Sequence, residues 1–195
     1  MSLREEILEA SKDILIKDGF GKMSMRRIAR RADVTATSIY LYFKNKDDLL
    51  LTLIQESIDD LKAALEDVID PSKDFIQQLE DMARVYIRFA LNHPKEYEII
   101  YMVRPEEMPK YPREKFNEVR SAYELLADII DRGRKENLIE VDDPLISAYT
   151  IWAQIHGVVS VIINKRLDTR IPYDKFIDQA VDHIIKGFII HKTPA

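Results

Sequence analysis

The chain of 195 residues contains no cysteine and only five glycines. The lack of cysteine excludes disulfides, thiolate metal sites and cysteine nucleophiles, and nothing points to an oxidising compartment. Uninterrupted apolar runs, such as residues 161–163, are far shorter than the roughly 18 to 20 residues that cross a bilayer, so we predict no transmembrane segment and no membrane partner. The first residues turn acidic at Glu5 without an apolar stretch, so we expect no secretory signal and a cytoplasmic location.

The composition, 46% hydrophobic and 32% charged, is that of a globular protein and excludes a disordered tail. Apolar residues recur at helical spacing, as in Leu3, Ile7, Ala10 and Ile14, and no alternating β-branched run is present. We therefore predict an all-α fold of about nine helices. Their predicted ranges are 3–17, 25–31, 36–42, 46–69, 73–92, 95–103, 113–136, 144–165 and 173–190.

Capping residues mark the short helices near the N-terminus. Gly19 is predicted to end the first helix in the left-handed conformation, and Ser24 and Thr35 are predicted N-caps of the second and third helices. Asp33 falls at the turn between those two helices, where a positive φ is expected and aspartate is tolerated.

The net charge of −5 argues against a protein that coats nucleic acid nonspecifically, but the charge is unevenly distributed. Residues 22–46 contain seven Lys and Arg and a single acidic residue, Asp33, which gives a local charge of +6. A short basic segment is thus attached to an acidic body.

Residues 24–43 have the pattern of a helix-turn-helix. Ala29 is small where the two helices would cross, and Val34 and Ile39 would anchor the second of them. The remaining side chains of that helix are small or aromatic and uncharged, which suits entry into a DNA major groove. Two short helices of an ordinary bundle, with a solvated basic face, are the alternative interpretation.

The segments Gly19-Phe20, residues 23–29 and Val34-Thr35 closely resemble the N-terminal DNA-binding domain of TetR-family transcriptional regulators. The most specific part is residues 38–50, with Tyr40-Leu41-Tyr42-Phe43-Lys44-Asn45-Lys46 at its centre. The resemblance covers residues 5–52 without a gap. It implies a helix-turn-helix domain, placed at residues 1–48, and a ligand-binding and dimerisation bundle at residues 49–195.

The resemblance also implies which residues contact DNA. Ser24 would touch a phosphate, Arg26 a guanine edge or a phosphate, and Lys46 a phosphate. Tyr40 and Tyr42 would contact phosphates or thymine methyls. Bases and backbone would be approached by Thr35, Ala36, Thr37 and Ser38. Two positions depart from the family pattern, since Asp33 and Thr37 stand where glycine is common.

The C-terminal half is rich in aromatic residues between positions 86 and 123, and tyrosines suit an apolar pocket with a few polar groups. The candidate ligand-binding residues are Tyr86, Phe89, Tyr101, Met102, Phe116, Tyr123, Trp152 and His156. An ordinary aromatic core is the alternative. We expect His156 to be a hydrogen-bonded core residue rather than a metal ligand.

The eighth helix is apolar nearly all round after Gly157 and, together with the last helix, is predicted to form a four-helix interface in a homodimer, as two DNA half-sites require. The candidate interface residues are Gly157, Val161, Ile177, Val181, Ile184 and Phe188. Gly157 costs helix stability and would be explained by a close backbone approach. Burial of both helices within one subunit is the alternative.

Signs of catalysis are lacking. No Glu-x-x-His motif, phosphate-binding Gly-rich loop or Gly-x-Ser-x-Gly motif occurs, so we predict no enzyme, no metal site and no cofactor. The predicted function is a repressor released from a palindromic DNA operator by a small, largely apolar inducer. The alternatives are a ligand-independent dimeric regulator and a helical adaptor whose basic face binds an acidic protein.

Overall fold

The computed structural model describes residues 2–102 and 113–187, and the side chains of residues 2–101 and 121–187. Within these residues nine helices and no strand are formed, which confirms the all-α prediction. The helices are α1 (Leu3–Asp18), α2 (Met25–Arg31), α3 (Ala36–Tyr40), α4 (Lys46–Glu66), α5 (Phe75–Asn92), α6 (Pro94–Met102), α7 (Arg113–Lys135), α8 (Pro144–Ile163) and α9 (Tyr173–Lys186). Several end earlier than predicted, among them α3 at Tyr40, α4 at Glu66 and α8 at Ile163.

The chain separates into two compact units, and helix α6 lies in the first. An N-terminal unit comprises Met1–Asp60 and His93–Glu118, and a C-terminal unit comprises Leu61–Asn92 and Val119–Ala195. The predicted domain boundary near residue 48 stays a prediction. Helix α1 packs against α6, a helix that was expected in the other domain.

The core of the N-terminal unit consists of the apolar residues whose spacing predicted the helices. Ile7 on α1, Ile28 on α2, Ile39 on α3, and Leu49 and Leu53 on α4 are all completely buried. Burial of a side chain of this size stabilises the fold by about 1.5 to 3 kcal/mol. Helix α2 packs against both α1 and α3, so this core holds α3 in place within the unit.

The predicted N-caps are confirmed. The Ser24 hydroxyl accepts a hydrogen bond from the Arg27 amide at 3.3 Å, and the Thr35 hydroxyl accepts one from the Ser38 amide at 3.1 Å. The prediction for Gly19 is only partly right. Its φ is positive, at 79°, but its ψ of 166° lies outside the left-handed helical region, in a conformation that is essentially restricted to glycine.

The turn between α2 and α3 depends on Asp33, which has the predicted positive φ of 55°. The Val34 amide donates to the Ala29 carbonyl oxygen at 2.9 Å, the bond that closes a helix C-terminus of the Schellman type. The turn therefore satisfies the end of α2 and directs the chain into α3.

The C-terminal unit is built around α5, α8 and α9, which pack against one another. Gln78 on α5 is fully buried, and its amide nitrogen donates to the Val68 carbonyl oxygen at 2.9 Å while its oxygen accepts from the Asp70 amide at 2.8 Å. This one side chain thus satisfies one carbonyl and one amide of the segment that connects α4 to α5.

One described helix, α8, is long and apolar enough to cross a membrane by length and composition alone, with a mean hydropathy of 1.5 over its most apolar stretch. Polar residues such as Ser147, Thr150 and Gln154 interrupt its apolar positions, so its sequence contains no long uninterrupted apolar run. Ile151, Ile155 and Val159 on α8 are buried within the unit, and a core helix passes the same test of composition. This helix is therefore only weak evidence for membrane contact.

Candidate nucleic-acid interface

The surface of α3 is unusual because large apolar side chains stand in solvent beside a fully buried one. Ile39 is the buried anchor, whereas Tyr40, Leu41 and Tyr42 are 56%, 79% and 45% exposed. Leu41 was not among the predicted contacts. Since α3 ends at Tyr40, Leu41 is the C-cap residue and lies off the core face. Leu41 lies between Tyr40 and Tyr42, two predicted contacts, and this position in the sequence could have identified it as a further contact.

The hydroxyl groups at the start of α3 are partly committed to structure. Thr35 Oγ1 lies 2.8 Å from Ser38 Oγ and also caps the helix, so this pair has limited freedom to bind other groups. Thr37 is exposed and Ala36 is half-buried. Thr37 is therefore the hydroxyl of α3 best placed to meet an external partner.

The basic segment divides into two faces. Arg27 pairs with Asp18 at 2.5 Å and Arg31 pairs with Asp13 at 2.6 Å, so two of its seven cations are neutralised by carboxylates of α1. Both arginines line a cleft of about 810 Å³ at the surface of the N-terminal unit, where Arg30 also lies. The local charge of +6 counted along the sequence overstates the charge available on any one face.

The remaining cations of the segment have different surroundings. Within the described part of the chain, Lys22, Arg26 and Lys44 are exposed and form no ion pair. Lys46 is half-buried, with Nζ 3.4 Å from the Phe20 carbonyl oxygen and 3.9 Å from the centre of the Phe20 ring. Lys46 thus ties the start of α4 to the 3₁₀ turn Phe20–Lys22, and only part of its donor capacity is left for a phosphate.

Ser24 is also exposed, but its hydroxyl oxygen is occupied as the N-cap of α2. The hydroxyl hydrogen is left to donate to an acceptor. The N-terminal unit therefore presents hydrogen-bond donors to solvent from Ser24, Arg26 and Tyr40. The buried side chains of Ala29 and Ile39 lie in the core beneath α2 and α3.

A separate cluster of aromatic residues lies in the C-terminal unit. Trp152 Nε1 donates to the Tyr86 hydroxyl at 2.9 Å, and the Trp152 ring meets the Tyr123 ring edge-on with centroids 5.2 Å apart. Tyr149 stacks on Tyr123 at 4.5 Å, and His156 lies 5.0 Å from Trp152, centroid to centroid. We call these five residues the aromatic cluster.

The predicted ligand residues are thus only partly brought together. Phe89 is buried on α5, and Tyr101 lies in the N-terminal unit, where its ring is 4.9 Å from that of Tyr97. The side chains of Met102 and Phe116 are outside the described residues. Tyr149 was missed, although it precedes Trp152 by three residues and so shares its helix face.

Burial lowers the pKa of His156, so its imidazole is neutral at pH 7. Across the described residues no group of three or more His, Cys, Asp or Glu side chains could hold a metal ion. The His156 ring therefore contributes an aromatic surface and nitrogen atoms for hydrogen bonding, rather than a charge, to the aromatic cluster.

The predicted dimer residues occupy two different environments. Gly157 is exposed, and a Cβ built on it would meet nothing within 4 Å. Val161 and Ile177 are half-buried. Val181 and Ile184, in contrast, lie in the core of the unit with exposed fractions of 0% and 6%, so the expectation that they face a second subunit is corrected. Phe188 is outside the described residues.

Comparisons with known proteins agree with this architecture. Residues 7–53 match the family model "Bacterial regulatory proteins, tetR family", and residues 79–186 match "Tetracyclin repressor-like, C-terminal domain". An uncharacterised HTH-type transcriptional regulator of Haemophilus influenzae is 34% identical over 102 residues, which cover 49% of this chain and 54% of that protein.

Two further proteins are similar over more of the chain. The fatty acid metabolism regulator protein of Bacillus subtilis is 27% identical over 131 residues, 66% of each chain. The match thus spans about half of the Haemophilus influenzae protein and about two thirds of the Bacillus subtilis protein. The structure of the fatty acid degradation regulator FadR from Bacillus halodurans has the same fold, with a TM-score of 0.75, 19% identity and coverage of 93% of this chain and 94% of that one.

Proposed function

The chain belongs to the TetR family of bacterial transcriptional regulators, and on that premise we propose a cytoplasmic, ligand-responsive repressor that binds a palindromic operator as a homodimer. One observation carries the DNA-binding part of the proposal. Tyr40, Leu41 and Tyr42 form an exposed, uncharged surface at the end of α3. Helix α3 has only five residues and would not be stable by itself, so the buried side chain of Ile39 holds it in place. Neighbouring exposed apolar side chains of this kind mark an interaction site.

In the proposed complex α3 enters the major groove. Thr37 donates to or accepts from base edges, while Tyr40 and Tyr42 contact phosphates and thymine methyls. Arg26 and Ser24, at the start of α2, bind the phosphate backbone, and the free donors of Lys46 bind a further phosphate. Thr35, Ala36 and Ser38 line the approach to the bases, with Thr35 and Ser38 acting mainly through the cap that shapes α3.

Leu41 joins this surface as an apolar contact. It is the most exposed of the large hydrophobic residues in the described chain. The major groove presents one apolar group for such a side chain, the C5 methyl of thymine. We therefore assign Leu41 to thymine recognition at the end of α3.

The composition of the aromatic cluster supports the proposal that the ligand is small and largely apolar. Four aromatic rings and a neutral imidazole offer apolar faces with a few polar atoms, which is the composition of a small-molecule site. The name of the Bacillus subtilis relative, a fatty acid metabolism regulator, supports the same ligand class. Trp152 is the only tryptophan of the chain, so its fluorescence reports directly on this cluster.

The homodimer is proposed through the exposed side of α8 and α9. Gly157 leaves open space on this side, and the half-buried Val161 and Ile177 supply apolar contacts. The helix cost of an exposed glycine is offset if the backbone of a second subunit approaches it closely. Two subunits would place their α3 helices on two half-sites one helical turn apart.

The experiment is a selection of DNA fragments from a random duplex library with the full chain, followed by anisotropy titrations at several salt concentrations. The proposal predicts one enriched palindrome, and the logarithm of the affinity should fall linearly with the logarithm of the salt concentration. Tyr40→Ala should weaken binding by more than tenfold. Tyr173→Ala removes a tyrosine of α9 with a similar exposure, 53%, and should leave the affinity unchanged.

The ligand is sought by titrating fatty acids of increasing chain length while the Trp152 fluorescence and the operator complex are followed together. A ligand that quenches or shifts the fluorescence and dissociates the complex supports the repressor. Selective DNA binding with no ligand effect would instead favour the ligand-independent regulator. No selection of any sequence, together with capture of an acidic protein, would favour the adaptor.

A further inference from the structure

A surface cleft of the N-terminal unit is lined by charged side chains from three helices, α1, α2 and α6. Its volume is about 810 Å³, and Ile14 and Ile16 form an apolar part of its wall. The charged residues of its lining are Asp13, Lys17, Asp18, Arg27, Arg30, Arg31 and Lys95. We call this site the basic cleft.

The described lining of the basic cleft has a surplus of positive charge. Five of its residues are Lys or Arg and two are Asp, which leaves a net charge of +3. The whole chain, in contrast, has a net charge of −5. Positive charge is therefore concentrated in one concave site of an acidic protein.

The two carboxylates of the basic cleft hold three of its cations in place. Asp18 pairs with Arg27 at 2.5 Å. Asp13 pairs with Arg31 at 2.6 Å and with Lys95 at 2.7 Å. Hydrogen bonding to Lys95, and also to Arg31, lowers the pKa of Asp13, so its carboxylate is ionised at neutral pH. Because these cations are positioned before a ligand arrives, less conformational entropy is lost when one binds.

The other two cations of the basic cleft have no carboxylate partner within the described residues. Lys17 and Arg30 are both exposed and form no ion pair there. Arg31 uses Nη2 for Asp13, and its side chain is 59% exposed, so further donors of its guanidinium group reach solvent. The site thus combines fixed charges with unused hydrogen-bond donors.

The positions of these cations along their helices do not by themselves explain the basic cleft. Lys17 lies in the last turn of α1, and Arg30 and Arg31 lie in the last turn of α2, where the helix dipole favours a cation. Lys95 lies in the first turn of α6, where the dipole disfavours one. The dipoles therefore account for some of the charges but not for their convergence on one cleft.

Two linked phosphate groups match the charge and size of this site. Together they carry about three negative charges near pH 7, which balances the surplus of the lining. Guanidinium groups bind phosphate oxygens in a bidentate manner, and lysines bind them as point charges. A volume of about 810 Å³ is within the range of small-molecule sites.

The DNA backbone is another source of phosphates, but two observations favour a small molecule. A duplex backbone contacts a protein along an exposed surface, whereas this lining surrounds a concavity with side chains of three helices. The described lining also does not include Ser24, Arg26 or Lys46, the phosphate contacts of the proposed DNA interface.

We infer that the basic cleft binds a small anion with a pyrophosphate group, either free or as part of a nucleoside diphosphate. Lys17 and Arg30 bind the phosphate oxygens with donors that are not engaged elsewhere, and the positioned Arg27, Arg31 and Lys95 complete the site. This site lies in the N-terminal unit, whereas the aromatic cluster lies in the C-terminal unit. It can be titrated without operator DNA, so the inference goes beyond the proposed function and does not depend on it.

The test is isothermal titration calorimetry of the full chain with inorganic pyrophosphate, in a magnesium-free buffer at constant ionic strength. We expect saturable binding at one site per chain. Lys17→Gln and Arg30→Gln should each weaken binding about tenfold, because each removes a charged donor to the anion. Lys44→Gln and Arg88→Gln remove the same charges from exposed side chains outside the lining and should change the affinity by less than about twofold.

Titrations with ADP, adenosine and sulfate identify the source of the pyrophosphate group. Tighter binding of ADP than of pyrophosphate would assign the site to a nucleotide, and equal binding would assign it to the free anion, and both results support the inference. Adenosine has no phosphate and sulfate is a single anion, so both should bind at least about tenfold more weakly than pyrophosphate.

Three results would overturn the inference. The first is the absence of saturable binding of pyrophosphate and of ADP. The second is an equal loss in Arg30→Gln and Arg88→Gln, which would show a response to net charge rather than to a site. The third is displacement of pyrophosphate by a random DNA duplex, with Lys17→Gln and Arg30→Gln weakening both ligands equally, which would assign the cleft to the DNA backbone. Selection of an operator is a separate result and decides only the proposed function.

Discussion

Leu41 provides the sharpest test of how the proposed interface recognises sequence. Its side chain is 79% exposed, so nearly all of its apolar surface is available to a partner. Covering about 40 Å² of it with a thymine methyl at about 25 cal/mol per Å² gives about 1 kcal/mol, or about a fivefold change in Kd. Because the proposed homodimer carries Leu41 in both half-sites, Leu41→Ala should lose about 2 kcal/mol and bind the selected operator about thirtyfold more weakly.

The assay combines this substitution with a change in the DNA. Each thymine is replaced by uracil at the same position of both half-sites, which removes only the C5 methyl, and at one position the loss should equal that caused by Leu41→Ala. On that uracil duplex, Leu41→Ala should cause almost no additional loss. Leu138→Ala, at an exposed leucine of the C-terminal unit, is the control. Equal losses on the thymine and uracil duplexes at every position would refute the assignment.

Three further predictions concern the fold and its ion pairs. The φ of Asp33 is 55°, in the left-handed region that glycine adopts without strain. The Asp33→Gly variant should therefore be more stable than the Asp33→Asn variant by about 0.5 to 1 kcal/mol. A melting temperature of Asp33→Gly equal to or below that of Asp33→Asn would contradict this. Gly133→Ala should destabilise by about 1 to 3 kcal/mol, because a Cβ there would lie 2.5 Å from the Phe75 ring. Phe75→Leu should recover part of that loss in denaturant titrations, whereas additive effects would argue against the clash. The lowered pKa of Asp13 predicts a contribution to stability that is present above the ordinary aspartate pKa and is lost as the pH falls through the lowered value. In Asp13→Asn the acid side of the stability profile should flatten, and an unchanged profile would exclude this contribution.

Local features of the N-terminal unit were predictable because they depend on residues close in sequence. The caps at Ser24 and Thr35 act over three residues, and the turn at Asp33 depends on the conformational tolerance of one side chain. The buried position of Ile39 follows from helical periodicity. Each signal lies within one or two helical turns, where a linear pattern contains the necessary information.

Pairings across long stretches of chain could not be predicted in the same way. Lys95 and Asp13 are 82 residues apart, and nothing in either neighbourhood specifies the other. The charge of the basic segment was overestimated for the same reason, since the carboxylates of Asp13 and Asp18 come from α1, outside the counted window. The charge summed along a segment gives its net charge, but it does not show which surface of the folded unit carries that charge.

The apolar stripe of the last helix could face either its own subunit or a second one. Helix α9 is amphipathic, and Val181 and Ile184 belong to its apolar stripe, which lies in the core of its own subunit and not at the interface to which they were assigned. Leu41 was missed because the predicted α3 was two residues too long, which placed this residue within a helix rather than at its end. Tertiary packing decides both cases.

The central claim, that α3 reads base edges from the major groove in two half-sites, is tested most directly by dimethyl sulfate footprinting on the selected operator. This reagent methylates guanine N7 in the major groove and adenine N3 in the minor groove. The account predicts protection of guanine N7 in two patches centred about 10 base pairs, or a multiple of that, apart. Protection of adenine N3 alone, or a single unpaired patch, would contradict it.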